Sequence, residues 1–264
     1  MNFASLLRSD LFRPELALLA LELSRVSGVV AVSPIPWSNT PRRIRVGLII
    51  FLLAVVHGSG NSPVTEIASA AWAALNLSTE FIVGLCMGLV VRLSVAAAEI
   101  AGTTLATPMG FSGARAFDPA IGGSESALTG MFRHLALLVA LISGMHRVLL
   151  GALISSFHLL PVGTATHIEA SFPMVLELSS HIIAVGVRLS LPVLALLLMA
   201  NVGLGFVSRA APSMQIFSIG FAVFFAVGAA GLLLTLPDLA HEMGREFQHA
   251  AAYFERILVE FGRH

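Results

Sequence analysis

Four charged residues lie within apolar stretches of the sequence, where they could serve ion pairing or proton transfer. Glu22 and Arg25 are three residues apart and Arg92 and Glu99 are seven apart, so each pair shares one face of a helix. A charge at the centre of a bilayer costs about 2.5–3.5 kcal/mol on an isolated helix. The charges therefore either neutralise one another, locally or between helices, or belong to a polar conduit or to an assembly that holds these helices away from lipid. Both interpretations predict helices that face protein or water as well as lipid.

Residue patterns that would indicate catalysis are missing from the sequence. It has no G-x-x-x-x-G-K-[ST] phosphate loop, no H-E-x-x-H zinc motif and no G-x-S-x-G nucleophile motif. The nine histidines are scattered, and the single cysteine, Cys86, excludes an intrachain disulfide and a multi-cysteine metal site. A proton relay through Glu99 and histidines remains open but is not favoured. We predict no catalytic residue, no cofactor and no metal site.

The composition indicates a membrane protein. Of the 264 residues 56% are hydrophobic and 11% are charged, whereas a soluble domain has about 25% charged residues. A soluble enzyme and a disordered chain are excluded on this ground. The formal net charge is zero, so no basic surface argues for nucleic acid.

The apolar stretches predict an all-α fold, since a membrane-spanning helix needs about 20 mostly apolar residues. About six transmembrane-like helices are expected, over 16–33, 44–58, 66–101, 128–157, 176–207 and 214–236. The third and fifth are long enough to kink or to form helical pairs, and Pro192 should kink the fifth. Arg42, Arg43 and Arg45 favour the cytoplasm, yet six spans would place the arginines of the tail on the other side. This conflict argues against a conventional embedding.

The segment 107–125 is the most unusual part of the sequence. Its four glycines and two prolines fit neither a helix nor a strand, yet it carries several large apolar residues. Irregular backbone at membrane depth is tolerated where it is buried in protein or lines a cavity. The segment is either a surface or re-entrant loop or a gate or plug. The candidate residues of this pore loop are Met109, Phe111, Arg115, Phe117, Asp118 and Ile121.

A second segment predicts a helical hairpin. Asn201, Gly205 and Arg209 recur every four residues and form one stripe of a helix. The glycine permits close packing and the asparagine supplies a polar contact. A tight turn at 211–212 should follow, and the predicted packing and assembly residues also include Pro212 and Gln215.

The tail, residues 238–264, is predicted to be an amphipathic helix that follows a single hydrophobic domain, 1–237. Its apolar residues recur at spacings of four and three, as in a heptad stripe. The helix either folds onto its own protein, lies on the membrane surface or binds a partner. The candidate interface residues are Phe247, Phe254 and Phe261.

Five segments together carry a family resemblance. They are Arg25-Val26-Ser27-Gly28 with Pro34 and the run 41–48, Phe117-Asp118-Pro119 with Gly122-Gly123, Leu160-Pro161-Val162-Gly163, Arg209-Ala210-Ala211-Pro212, and the run 216–221. In this order and spacing they resemble the FliR family, the export-gate subunit of flagellar type III secretion, to which injectisome subunits are related. The sequence departs from the family pattern at Gln215, usually Asn, at Ala222, often Pro, and at Arg115, usually uncharged.

The resemblance implies a multi-pass protein of the bacterial inner membrane, at the flagellar basal body. One copy would complete a helical ring of FliP and FliQ subunits, with an FlhB homologue at the entrance. The hydrophobic helices would face mainly other subunits, with membrane lipids on part of the surface. The pore loop would plug the path of unfolded flagellar proteins, with Phe111 and Phe117 as apolar stoppers. Asp118 or Arg115 would hold the closed form.

Two other function classes were weighed against this interpretation. A small multi-pass secondary transporter could use the intramembrane charges, but related halves with broken helices are not visible in the sequence. An intramembrane enzyme would need an acid–base or metal constellation that is missing. The sequence therefore favours a non-enzymatic core subunit of a protein export gate, with motifs closer to the flagellar than to the injectisome form.

Overall fold

The computed structural model describes residues 14–34, 40–59, 70–111, 126–164, 168–210 and 216–262. These ranges contain seven α-helices and no β-strand, which confirms the predicted all-α fold. The helices are α1 (Pro14–Val32), α2 (Arg42–Gly58), α3 (Ala70–Ala106), α4 (Ala127–Ile142), α5 (Met145–Leu159), α6 (Ile168–Ala210) and α7 (Ile216–Gly262).

The single helix expected over 128–157 is wrong. Two helices, α4 and α5, replace it and are bent by 65° at the break between Ile142 and Met145. Gly144 adopts a positive φ of 77° at this break, a conformation that costs glycine little and most residues a great deal. The break coincides with Ser143, His146 and Arg147, which interrupt the apolar stretch.

At residue 237, the boundary expected between the hydrophobic domain and the tail, α7 runs without interruption through Pro237. A proline inside a helix removes one hydrogen bond and costs about 3 kcal/mol. Buried side chains follow it on the same helix, among them Leu239 and Met243, and their burial offsets that cost. The tail is thus the second half of α7. Pro192 likewise lies inside α6, and the kink expected there stays a prediction.

Three helices of the described residues are long and apolar enough to cross a membrane: the segments Ala71–Ala106, Phe172–Arg209 and Ile219–Phe261. The bent pair α4–α5 would be a fourth. This is fewer than the six expected. Helix α1 carries three charged residues, and α2 has only 17 residues.

The chain divides into two compact units, and neither is continuous in sequence. The first unit comprises 1–93, 144–178 and 249–264, and the second comprises 94–143 and 179–248. In the first unit, α1 meets α3 backbone to backbone. A Cβ added to Gly84 would collide with the carbonyl oxygen of Arg25, so the spacing of the two helices requires a glycine there.

Candidate functional site

Arg25, on α1, is fully buried and is held by three elements of the first unit. Its Nε donates to Glu80 Oε2 on α3 at 2.6 Å. Its Nη1 donates to the carbonyl oxygen of Ser156 at 2.9 Å and its Nη2 to that of Leu160 at 3.0 Å. The guanidinium also lies over the ring of Phe157, 4.4 Å from the centroid. Such planar, multiple hydrogen bonding suits arginine and not lysine.

Glu80 completes this arrangement, because its second oxygen accepts a hydrogen bond from the backbone N–H of Gly163 at 2.8 Å. The buried pair therefore attaches the segment after α5 to α1 and α3. Two motifs that are far apart in the sequence, at 25–28 and 160–163, meet here. Sequence reasoning missed Glu80. Its one signal was a carboxylate at the edge of an apolar stretch, where burial requires a partner.

Glu22 and Glu99 also have partners on different helices. Glu22 is buried, and its Oε2 lies 3.1 Å from Nδ1 of the half-exposed His57 on α2. In the second unit, Arg133 Nε on α4 donates to Glu99 Oε1 on α3 at 2.6 Å. Arg92 is half buried on α3. These contacts show interhelical pairing, and the close arginine–carboxylate pairs are not the ones that sequence spacing placed on one helix face.

The pore loop begins with a helix cap. Residues 112–125 lie outside the described ranges, and with them Arg115, Phe117, Asp118 and Ile121. Before them, Phe111 N–H donates to Ala106 O at 2.9 Å and Gly110 N–H donates to Thr107 O at 3.1 Å. Gly110 has a φ of 83°. This pair of bonds with a left-handed glycine is the Schellman motif that ends a helix, so residues 107–111 cap α3 and are not irregular loop.

This cap lies against α7, on which two of the predicted plug residues pack. Met109 is 2% exposed and contacts the helix at Gly228. The ring of Phe111 packs on that of Phe225, with centroids 5.9 Å apart. An apolar face of α7 is thus available to both side chains, and the role of Phe111 as an apolar stopper stays a prediction.

The other end of the pore loop is fixed by hydroxyl groups. Ser126 is the N-cap of α4, and its Oγ accepts a hydrogen bond from Thr129 N–H at 3.2 Å. The Thr129 hydroxyl is 3.1 Å from that of Thr103 on α3. Both ends of the segment 112–125 thus start from defined positions in the second unit.

The stripe on α6 is exposed. Asn201, Gly205 and Arg209 are all exposed, and among the described residues no atom beyond its own helix backbone lies within 4 Å of a Cβ added to Gly205. The seam between α6 and α7 lies elsewhere, with Gly231 facing Val193 and Leu196. The stripe is therefore not the seam of the hairpin. Pro212 and Gln215 lie outside the described residues.

Large apolar side chains surround this exposed stripe. The exposed fractions are 64% for Leu198, 72% for Met199, 55% for Val202 and 69% for Phe206. A contiguous apolar surface of this kind marks a contact with lipid or protein.

The aromatic stripe of the tail has the opposite character. Phe247, Phe254 and Phe261 are 2%, 1% and 0% exposed, so the hypothesis that they bind a partner is wrong. Their heptad spacing reflects burial within the chain itself. In the first unit, a cavity of about 510 Å³ lies beside Phe254, between α5 and the end of α7. No group of three metal-ligating side chains occurs among the described residues.

Sequence comparison identifies the family. Residues 16–250 match the family described as bacterial export proteins, family 1. The chain belongs to this family. It is 30% identical to the flagellar biosynthetic protein FliR of Escherichia coli (strain K12) over 220 residues, 83% of this chain and 84% of that protein. It is 29% identical to FliR of Bacillus subtilis (strain 168) over 202 residues, 75% and 77% of the two chains.

A third relative extends the match. FliR of Caulobacter vibrioides is 25% identical over 225 residues, 84% of this chain and 89% of that protein. The resemblance inferred from the motifs is confirmed: this FliR-family chain is a membrane protein of flagellar biogenesis and protein export. The helices that pass the test of length and apolarity agree with that class.

Proposed function

We propose that the chain is a non-enzymatic core subunit of the flagellar protein export gate, located in the bacterial inner membrane at the basal body. The relatives that it matches over three quarters or more of its length are flagellar biosynthetic proteins, which favours the flagellar form over the injectisome. A secondary transporter, the alternative class, is not favoured by the contacts of the buried charges, since the pairs Arg25–Glu80 and Arg133–Glu99 each tie one helix to another.

The exposed face of α6 is the observation that carries the proposal. It combines long apolar side chains with an open glycine at Gly205 and an amide at Asn201. Small residues that let helices approach, together with polar side chains that bond across, are the chemistry of helix association in membranes. We propose that homologues of FliP and FliQ pack on this face, that an FlhB homologue meets the assembly at its entrance and that membrane lipids cover the remainder.

The pore loop is the second part of the proposal. Residues 112–125, which include Phe117 and Asp118, leave the cap of α3 and return at the N-cap of α4. We propose that this segment plugs the pore through which unfolded flagellar proteins are exported. Its apolar residues would exclude water and ions, and Arg115 or Asp118 would supply a polar contact in the closed form.

Co-expression with FliP and FliQ homologues tests the assembly. The chain should co-purify in a stoichiometric complex, because the exposed face of α6 offers a small residue and an amide for contact with another helix. Gly205→Leu should reduce the recovered complex about tenfold, since the side chain fills the contact. Gly130→Leu is the matched control, because its Cβ also meets nothing within 4 Å but lies on α4.

Two outcomes would contradict this proposal. A monodisperse monomer that transports a small solute would favour the secondary transporter. Equal recovery of the Gly205→Leu and parent complexes would remove α6 as the contact face.

Deletion of residues 112–123 tests the plug. It should raise the ion conductance of the assembled gate, and unchanged conductance would exclude that role.

A further inference from the structure

The cap of α3 is attached to α7 by three successive residues. Each meets a different position of one face of α7: Met109 lies at Gly228, Gly110 at Phe221 and Phe111 at Phe225. The three positions on α7 are separated by four and three residues, the spacing that places side chains on one face of a helix. All of these residues belong to the second unit, so the attachment is internal to it.

The contact at Gly228 depends on the absence of a side chain. A Cβ added there would lie 2.6 Å from Cε, 2.7 Å from Cγ and 2.8 Å from Sδ of Met109. These atoms are consecutive along the thioether, so rotation of the terminal methyl group alone would not relieve the overlap. Gly228 is therefore a seat into which the Met109 side chain fits, and the 2% exposure of Met109 shows that the seat is filled.

The cap is less tightly held on another side. A cavity of about 220 Å³ lies beside Pro108 and is lined by Leu194, Leu197, Leu198, Asn201 and Phe224. Space is thus available next to the cap on the side of Pro108. The contact between Met109 and Gly228 on α7 then fixes the position of residues 107–111.

We propose that Gly228 and Met109 are positioning residues that lock the end of α3 to α7. They fix the point and direction in which the chain leaves α3 after Phe111. The consequence for export rests on the proposed function, because that segment is the proposed plug. The attachment itself rests only on the contacts above.

Hydrogen exchange of the full-length chain in lipid nanodiscs tests the seat. The Phe111 and Gly110 amides report it directly, since their bonds to Ala106 O and Thr107 O form the cap. Gly228→Val should speed their exchange at least about fivefold, as expected when a packed site is overfilled. Gly151→Val, at a glycine of α5 whose added Cβ meets none of the described residues within 4 Å, should leave them within about twofold.

A second variant separates loss of the seat from general loosening. Met109→Ala combined with Gly228→Met places the thioether on α7 instead of α3, and exchange should return to within about threefold of the parent. Thr129, whose N–H is bonded at the N-cap of α4, is the internal reference and should not change.

Three results would overturn the proposal. They are unchanged exchange in Gly228→Val, an equal rise at Thr129, and a double variant that exchanges as fast as Gly228→Val alone. Co-purification with FliP and FliQ homologues is scored on the parent chain. Failure to co-purify would contradict the proposed function but would not affect the exchange results. Unchanged exchange would contradict only the proposed role of Gly228 and Met109.

Discussion

Two segments that follow helices are held in contrasting ways in the two units. In the first unit, the segment after α5 is fixed by charge, through Arg25, Glu80 and the backbone of residues 156–163. In the second unit, the cap after α3 is fixed by shape, through the seat that Gly228 offers to Met109. The first attachment is polar and fully buried, and the second contains no charged group.

The difference sets how each attachment should fail. Removal of one member of a buried ion pair leaves a desolvated charge without compensation, so the whole unit is destabilised. A filled seat can instead be vacated at a cost limited to local packing, because a side chain moves more readily than a charge is rehydrated. A permanent structural tie suits the first kind of contact, and an adjustable one suits the second.

The largest effect is expected at Glu80. Glu80→Ala should destabilise the protein by about 3–5 kcal/mol, because Arg25 remains buried without its counter-charge. Denaturant unfolding in detergent, followed by helical circular dichroism, measures this. Arg256→Ala is the control. It removes an exposed pair with Glu177, at 3.4 Å, and should change stability by about 0–1 kcal/mol. Similar losses in both variants would show that the buried pair is no stronger a tie than a surface one.

Two glycines compare rigid and adjustable contacts directly. A Cβ at Gly84 meets the carbonyl oxygen of Arg25, whereas a Cβ at Gly228 meets the Met109 side chain. Backbone cannot rotate away, so Gly84→Ala should cost about 3 kcal/mol and Gly228→Ala about 1 kcal/mol. Thermal unfolding of the two variants gives the order. The reverse order would mean that the seat, and not the contact between α1 and α3, is the rigid element.

Ser126 offers an intermediate case, in which neutral hydrogen bonds fix a helix start. Ser126→Ala should cost about 1 kcal/mol through loss of the N-cap. Exchange at the Thr129 amide should increase, while the amides of Gly110 and Phe111 at the other end of the pore loop stay protected. Ser126→Asp, which keeps a capping oxygen, is the matched control. Joint loss of protection at both ends would show that they form one cooperative element.

How far the sequence predicted these features depends on the range of the interaction. Apolar runs located the helices, and the motifs identified the family. The partner of Arg25 could not be read from spacing, because Glu22 is three residues away and Glu80 is 55 residues away. The choice between them is made by the packing of α1 on α3. Burial of the pair followed from physics, but its identity required the fold.

Two features were misassigned because each depends on the conformation of a single backbone position. The positive φ at Gly144 splits α4 from α5, and that at Gly110 turns the expected loop into a cap. A glycine in a sequence permits such a conformation without requiring it. The prediction for the tail was wrong for a different reason. A heptad stripe predicts burial but does not say whether the covering surface belongs to the same chain.

Phe206 and Phe254 allow a further comparison, between a phenylalanine that is exposed on α6 and one that is buried on α7. Phe206 is 69% exposed and Phe254 is 1% exposed. For the lone chain in detergent, Phe206→Ala should change stability by less than about 0.5 kcal/mol, because detergent contacts both residue types. Phe254→Ala, the matched buried control, should cost about 3–5 kcal/mol. In the complex with FliP and FliQ homologues, Phe206→Ala should lower the amount of complex recovered, although the stability of the lone chain is unchanged. A Phe206→Ala variant that assembles as well as the parent would show that this face contacts lipid. Every fixed contact described would then lie within the chain itself.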